Sequence, residues 1–206
     1  KDEPEFRELD AEQDAEMFRK AVDRVKRGRK MAFPLHVHDV ETYRNARLFL
    51  SEDKESGFAL MGDEIGSFFS GGGGQAYPTL RLAVEEGGRR IDAYRSIMPK
   101  VLGKAGFRPV ARVAFDPSQA TEIWDYKKFE RFQGGTPDLV FFAYDSISKG
   151  SEQVEELVKK APLVQYDEAL ALQAEAAGAE NASGKYSHAM RYPDMLKANW
   201  PLVPET

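Results

Sequence analysis

Gly57-Phe58-Ala59-Leu60-Met61-Gly62-Asp63-Glu64-Ile65-Gly66-Ser67-Phe68-Phe69-Ser70-Gly71-Gly72-Gly73-Gly74 is the stretch that decides the fold. Two short apolar arms, Phe58–Met61 and Ile65–Phe69, flank Gly62-Asp63. That pattern predicts an antiparallel hairpin over Gly57–Ser70. Four glycines follow, and Pro78 then opens a helix, where its missing N–H is not needed. Leu80, Ala83, Val84 and Gly87 share one face of that helix, and Gly87-Gly88 ends it. A glycine-rich turn between a strand and a helix lets the backbone approach a ligand closely. The first helical N–H groups are unsatisfied and lie at the positive end of the helix dipole. Together they attract phosphate oxygens, so the loop Ser70–Gln75 reads as a cradle for a phosphate-bearing cofactor, or else as a flexible connection.

Working outward, Ala15, Phe18, Ala21, Val22 and Val25 recur at helical spacing over Ala11–Arg27, with Gly28 as the stop. His36–Arg44 is a polar stretch, and Arg47–Ser51 reads as a strand or a short helix. Beyond the glycine loop, Arg89–Tyr94 predicts a strand. Ser96 caps a further helix with Ile97, Val101, Leu102 and Ala105 inward and Gly106 at its end. Phe107–Phe115 is another strand. Asp116–Gly135 is a polar and aromatic insert, and the apolar run Leu139–Tyr144 suits a central strand. Helices are expected at Gln153–Lys160 and Glu168–Ala177, followed by a linker-like Gly178–Gly184. The expected organisation is a loose segment at 1–10, a domain at 11–146, and a C-terminal helical extension with a tail at 147–206.

Composition narrows the functions. The chain has 206 residues, a 42% hydrophobic share and a net charge of -5. These values fit one mildly acidic domain with extensions and argue against a nucleic-acid partner. The basic cluster Arg19 to Lys30 reads as a solvated helix face or a patch for nucleic acid or a phosphate. The absence of cysteine excludes disulfides, thiol nucleophiles and cysteine metal sites. No apolar run approaches the roughly 20 residues needed to span a bilayer, and Lys1-Asp2-Glu3-Pro4 is not built like a signal peptide. His36-Val37-His38-Asp39 places alternate residues together, but two histidines and one carboxylate make a poor metal set, and no metal is expected.

Of two phosphate-binding patterns, one fails and the other is weakened. A P-loop needs Lys-Ser/Thr after its last glycine, and Gln75-Ala76 stands there. A dinucleotide fingerprint wants an acidic residue about 20 positions on, which Asp92 approximates. The preceding hairpin, however, does not suit a doubly wound parallel sheet.

The quoted block, with Ala83-Val84-Glu85-Glu86-Gly87-Gly88, Ile91-Asp92-Ala93-Tyr94 and Gly106-Phe107-Arg108-Pro109-Val110, resembles GNAT (N-acetyltransferase-like) proteins. Trp124-Asp125-Tyr126 and Thr136-Pro137-Asp138-Leu139-Val140-Phe141-Phe142 are similar to a group of them found in bacteriophages and mobile elements. The resemblance covers roughly residues 33–146. It implies an α/β (α+β) fold: a mixed, curved β-sheet flanked by helices and splayed between two central parallel strands. It implies acetyl-CoA in the splay, its pantetheine along Ile65–Ser70 and its pyrophosphate on amides of Gly71–Tyr77. The cofactor-binding residues carried over are Phe68, Phe69, Ser70, Gly72, Gly73, Gly74, Gln75 and Ala76.

The position where many such proteins carry a tyrosine acid is Leu102 here, which cannot donate a proton. Asp92 and Tyr94, at the end of the neighbouring strand, are the catalytic candidates in its place. Both also suit a plain structural role. Trp124, Tyr126, Phe129 and Phe132 line a pocket or clasp the core.

Two functions follow from the resemblance. One is acetyl transfer from acetyl-CoA to a small-molecule or protein amine, in the cytoplasm of a bacterial host. The other is a non-catalytic, virion-associated structural or accessory protein that keeps the fold. The aromatic tail Tyr186–Pro204 is expected to dock on the domain, on another copy or on another protein.

Overall fold

A computed structural model of the chain describes residues 3–145 and 153–178. The predicted docking tail and the linker from 179 onward lie outside these residues. The strands are β1 (Phe6–Leu9), β2 (Arg47–Ser51), β3 (Gly57–Met61), β4 (Glu64–Phe69), β5 (Arg90–Tyr94), β6 (Phe107–Val113) and β7 (Leu139–Tyr144). The helices are α1 (Ala11–Gly28), α2 (Val40–Arg44), α3 (Ala76–Glu85), α4 (Met98–Ala105), α5 (Val154–Lys160) and α6 (Tyr166–Ala176). The seven strands of the described residues form one mixed sheet in the order β1-β2-β3-β4-β5-β7-β6. Among the described residues, no helix is long and apolar enough to cross a membrane.

Helix α1 forms for the reasons its sequence suggests. Asp10 caps it, accepting the Glu12 and Gln13 amides at 3.0 and 3.2 Å. Its stripe of Ala15, Phe18, Ala21, Val22 and Val25 is buried against β2–β4, with Tyr43 of α2 beside it. Burying side chains such as Phe18 and Val22 contributes about 1.5–3 kcal/mol each. On the opposite face, Leu80 and Ala83 of α3, Leu102 of α4 and Val158 of α5 pack on Phe58, Leu60, Ile91 and Phe142. Helix α6 covers Ala111 and Phe141. Strand alternation puts Asp92 and its partner Phe141 on the α6 side, and Ile91 and Phe142 on the α3–α4 side. Helices α1 and α6 thus share one face of the sheet, with β4 and β5 between them.

Several expectations change. The segment 1–10 is not loose throughout: Phe6–Leu9 pairs antiparallel with Leu48–Ser51 and extends the sheet. Residues 40–44 form a short helix because Asp39 caps it, accepting the Thr42 amide at 2.8 Å. The helix expected at Pro78 starts two residues earlier, at Ala76. Ile97, expected inward, is exposed, because it precedes the first turn of α4 instead of lying on its buried face.

Candidate functional site

Strands β4 and β5 run parallel, but they pair at a single position, Glu64 with Arg90. Beyond it they diverge, and the ladder between Ile65–Phe69 and Ile91–Tyr94 is not made. Backbone polar groups along such an opening need partners from elsewhere. Here the opening is the floor of a cavity of about 520 Å³. Phe68, Phe69, Ser70 and Gly72 line it from the β4 side, and Asp92 and Tyr94 from the β5 side. The expected cofactor set therefore divides. Gly73, Gly74, Gln75 and Ala76 are not among the lining residues, and lie past the rim where α3 begins.

The glycine loop has the backbone its composition suggests. Gly72, Gly73 and Gly74 have φ of 75°, 59° and 87°, a run that side chains oppose. The loop is anchored on both flanks. The Gly71 amide donates to Ser56 Oγ at 2.8 Å, and the Gln75 amide to the Gly72 carbonyl at 3.2 Å. Arg29, just past α1, donates to the Ser70 carbonyl and to the Glu55 carbonyl and carboxylate. Among the described residues, the amides of Gly72, Gly73 and Gly74 donate to no protein group. They remain available to an anion at the start of α3.

Strand β4 is bulged. Gly57 faces Phe69 and Ala59 faces Gly66, so β4 spends three steps where β3 spends two. Ser67 sits in the bulge with φ of 45°. A buried relay holds it: the His38 amide donates to Tyr43 Oη at 3.1 Å, Tyr43 meets Ser67 Oγ at 2.7 Å, and Ser67 donates to the His36 carbonyl at 3.2 Å. The bulge keeps both Gly66 and Ser67 on the lining of the cavity.

The charges at the floor are unequal. Arg90 is held by Asp63, at 2.7 and 2.8 Å, and both are buried. Glu64 is also buried and lines the cavity, and its Oε2 has no hydrogen-bond partner among the described residues. Burial pushes the Glu64 carboxyl well above its ordinary 4.5. Arg90 opposes the rise, and Asp92 and Asp63 add to it. Asp92 is raised from 3.8 to about 6, mainly by burial. At neutral pH, Asp92 is thus mostly a carboxylate. Tyr94 is raised to about 12 by burial and by the nearby Asp92 and Asp116, so it stays a phenol. Its ring packs at 4.7 Å on Trp124.

Histidines 36 and 38 line the wall. Burial lowers both, His38 to about 4, so both are neutral. Among the described residues, no group of three or more His, Asp or Glu is arranged to hold a metal ion.

The insert 116–135 roofs the cavity. The Thr121 hydroxyl donates to the Phe33 carbonyl at 2.6 Å, and buried Lys26 meets Glu122 at 3.4 Å. Phe33, Trp124 and Phe129 stack edge-on at 4.8 to 5.3 Å. The four aromatics of the insert divide: Trp124 packs on Phe33 and Phe129, Phe129 and Phe132 line the cavity, and Tyr126 is exposed.

Sequence reasoning placed Asp92 and Tyr94 correctly on one strand and found the loop. It missed Glu64, whose only signal was an acidic residue at the head of an apolar arm. It also missed Tyr43 and Ser67, which lie 24 residues apart and meet only in the fold. Comparisons with protein-family models, with curated proteins and with solved structures find no match.

Proposed function

We propose that this protein is a GNAT-like acyltransferase that moves an acetyl group from acetyl-CoA to an amine in the cavity between β4 and β5. The observation that carries this reading is the single-pair contact of two parallel strands, opening onto a cavity with Asp92 at its floor and the glycine loop at its rim. A mixed sheet with helices on both faces, and two parallel strands that part after one pair, support this reading.

The thioester would lie along β4, its carbonyl oxygen on a backbone N–H in the Phe68–Ser70 segment. The amine enters as ammonium and gives a proton to Asp92, whose raised pKa suits a base near neutrality. The freed nitrogen lone pair attacks the carbonyl carbon, and the C–N bond forms. The C–S bond then breaks, and the thiolate leaves with the electron pair. Tyr94 donates its phenolic proton to that sulfur, the role that buried Leu102 cannot fill. The second N–H proton passes to solvent.

The test is calorimetric titration of the chain with acetyl-CoA. Binding in the micromolar range, lost when Gly73 and Gly74 are replaced by bulky residues, supports the reading; no binding at about millimolar ligand sinks it. The second reading, a virion-associated accessory protein that keeps the fold without catalysis, is favoured by Leu102, which lies fully buried where an acid is expected.

A further inference from the structure

The charges around the cavity are arranged by position as well as by sign. Acidic residues are concentrated at the floor, where Glu64 Oε2 is buried without a partner among the described residues and Asp92 lies on the same lining. Arg90, the cation nearest to them, is already committed to Asp63. Among the described residues, two cations line the cavity. Arg29 is committed to Glu55 and to the Ser70 carbonyl. Arg131, which is exposed at the roof, has no carboxylate partner among the described residues; its guanidinium rests 4.6 Å above the Phe132 ring. The two histidines of the wall are neutral and add no positive charge.

Apolar side chains line the walls beside the two histidines. Phe129 and Phe132 come from the insert, and Met61 and Leu139 from the sheet. The roof is bound to the loop after α1 by the Thr121–Phe33 hydrogen bond and to α1 by the Lys26–Glu122 pair. A roofed cavity of about 520 Å³ suits a small molecule better than a lysine presented on a protein surface.

We infer that the cavity takes a small amino carboxylate with an apolar body, its ammonium group between Glu64 and Asp92 and its carboxylate on Arg131. This rests on the acyl-transfer reading for the fate of the amine, but binding itself does not. The ammonium supplies donors to the unpartnered Glu64 oxygen and to the Asp92 carboxylate. The planar guanidinium offers paired N–H groups to the ligand's carboxylate. The apolar body lies against Phe129 and Phe132 of the lining.

The experiment is calorimetric titration of the full chain with phenylalanine and leucine. Each is compared with its carboxamide and with the amine that lacks the carboxyl group. Every titration is run on the chain alone and again with excess CoA. At least one amino acid is expected to bind, with its carboxamide and its amine weaker by about tenfold or more, as for loss of a charge-assisted contact. Arg131→Gln, at an exposed position, should erase the difference between acid and carboxamide while leaving the thermal midpoint unchanged. Asp92→Asn and Glu64→Gln should weaken the acid and the carboxamide alike.

The inference is overturned if the carboxamide binds as well as the acid. It is also overturned if neither amino acid binds at about 10 mM in either condition. Acetyl-CoA binding without amino-acid binding removes this inference alone. Amino-acid binding without any acetyl-CoA binding removes acyl transfer alone.

Discussion

Replacing Asp92 by asparagine should stabilise the protein at neutral pH and leave its stability unchanged in acid. The carboxyl rises from 3.8 to about 6 on folding, chiefly because burial disfavours its charged form. The folded state therefore holds this proton more tightly than the unfolded chain does. Below pH 3.8 both states are protonated and the residue has no net effect. Between 3.8 and about 6, stability falls as pH rises, and above about 6 the full penalty is present. A rise of this size corresponds to about 3 kcal/mol, taken as an upper bound because solvent in the cavity screens part of it. Asparagine keeps the shape without the charge and removes that penalty. For a domain of this size, the thermal midpoint near pH 8 should rise by roughly 3–10 °C, with the gain fading toward pH 4. Urea denaturation of parent and variant at both pH values measures the difference directly. A variant no more stable than the parent near pH 8, or one with the same gain at both pH values, would refute the reasoning. The confirmed result would mean that the chain keeps a destabilising carboxylate at the floor of its cavity, which is how functional groups behave.

Three further outcomes follow from packing. Arg90→Met should cost about 3–5 kcal/mol in urea denaturation by stranding Asp63, and adding Asp63→Leu should recover part of the loss. Gly57→Ala should destabilise by about 1–3 kcal/mol, because a Cβ there would lie 2.6 Å from the Phe49 carbonyl oxygen and 2.9 Å from the Phe69 ring; a melting curve that superposes on the parent's would contradict it. Gln173→Leu should cost about 1–2 kcal/mol, since its buried amide donates to the Ile91 and Phe142 carbonyls at 3.3 and 3.0 Å. Faster amide exchange confined to α6 would locate that loss, and unchanged exchange in α6 would exclude it.

Much of this architecture is legible in the residues alone, because it depends on local periodicity and turn chemistry. The stripe of α1 has a 3.6-residue repeat. The β3–β4 hairpin is marked by Gly62-Asp63 between two apolar arms, and the glycine run can only be a turn. Asp92 and Tyr94 share a strand face by simple alternation. What the residues could not show depends on elements far apart in the chain. Glu64 became a site residue only when β4 met β5 at one position and then parted from it. The bulge at Ser67 depends on a tyrosine from α2, and the roof over the cavity on a threonine 88 residues from the carbonyl it meets. Local propensity determined which segments are strand, helix and turn. Only tertiary structure decided that two parallel strands would open instead of pairing, because that choice lies in long-range packing from α1, α6 and the insert, which no local pattern encodes.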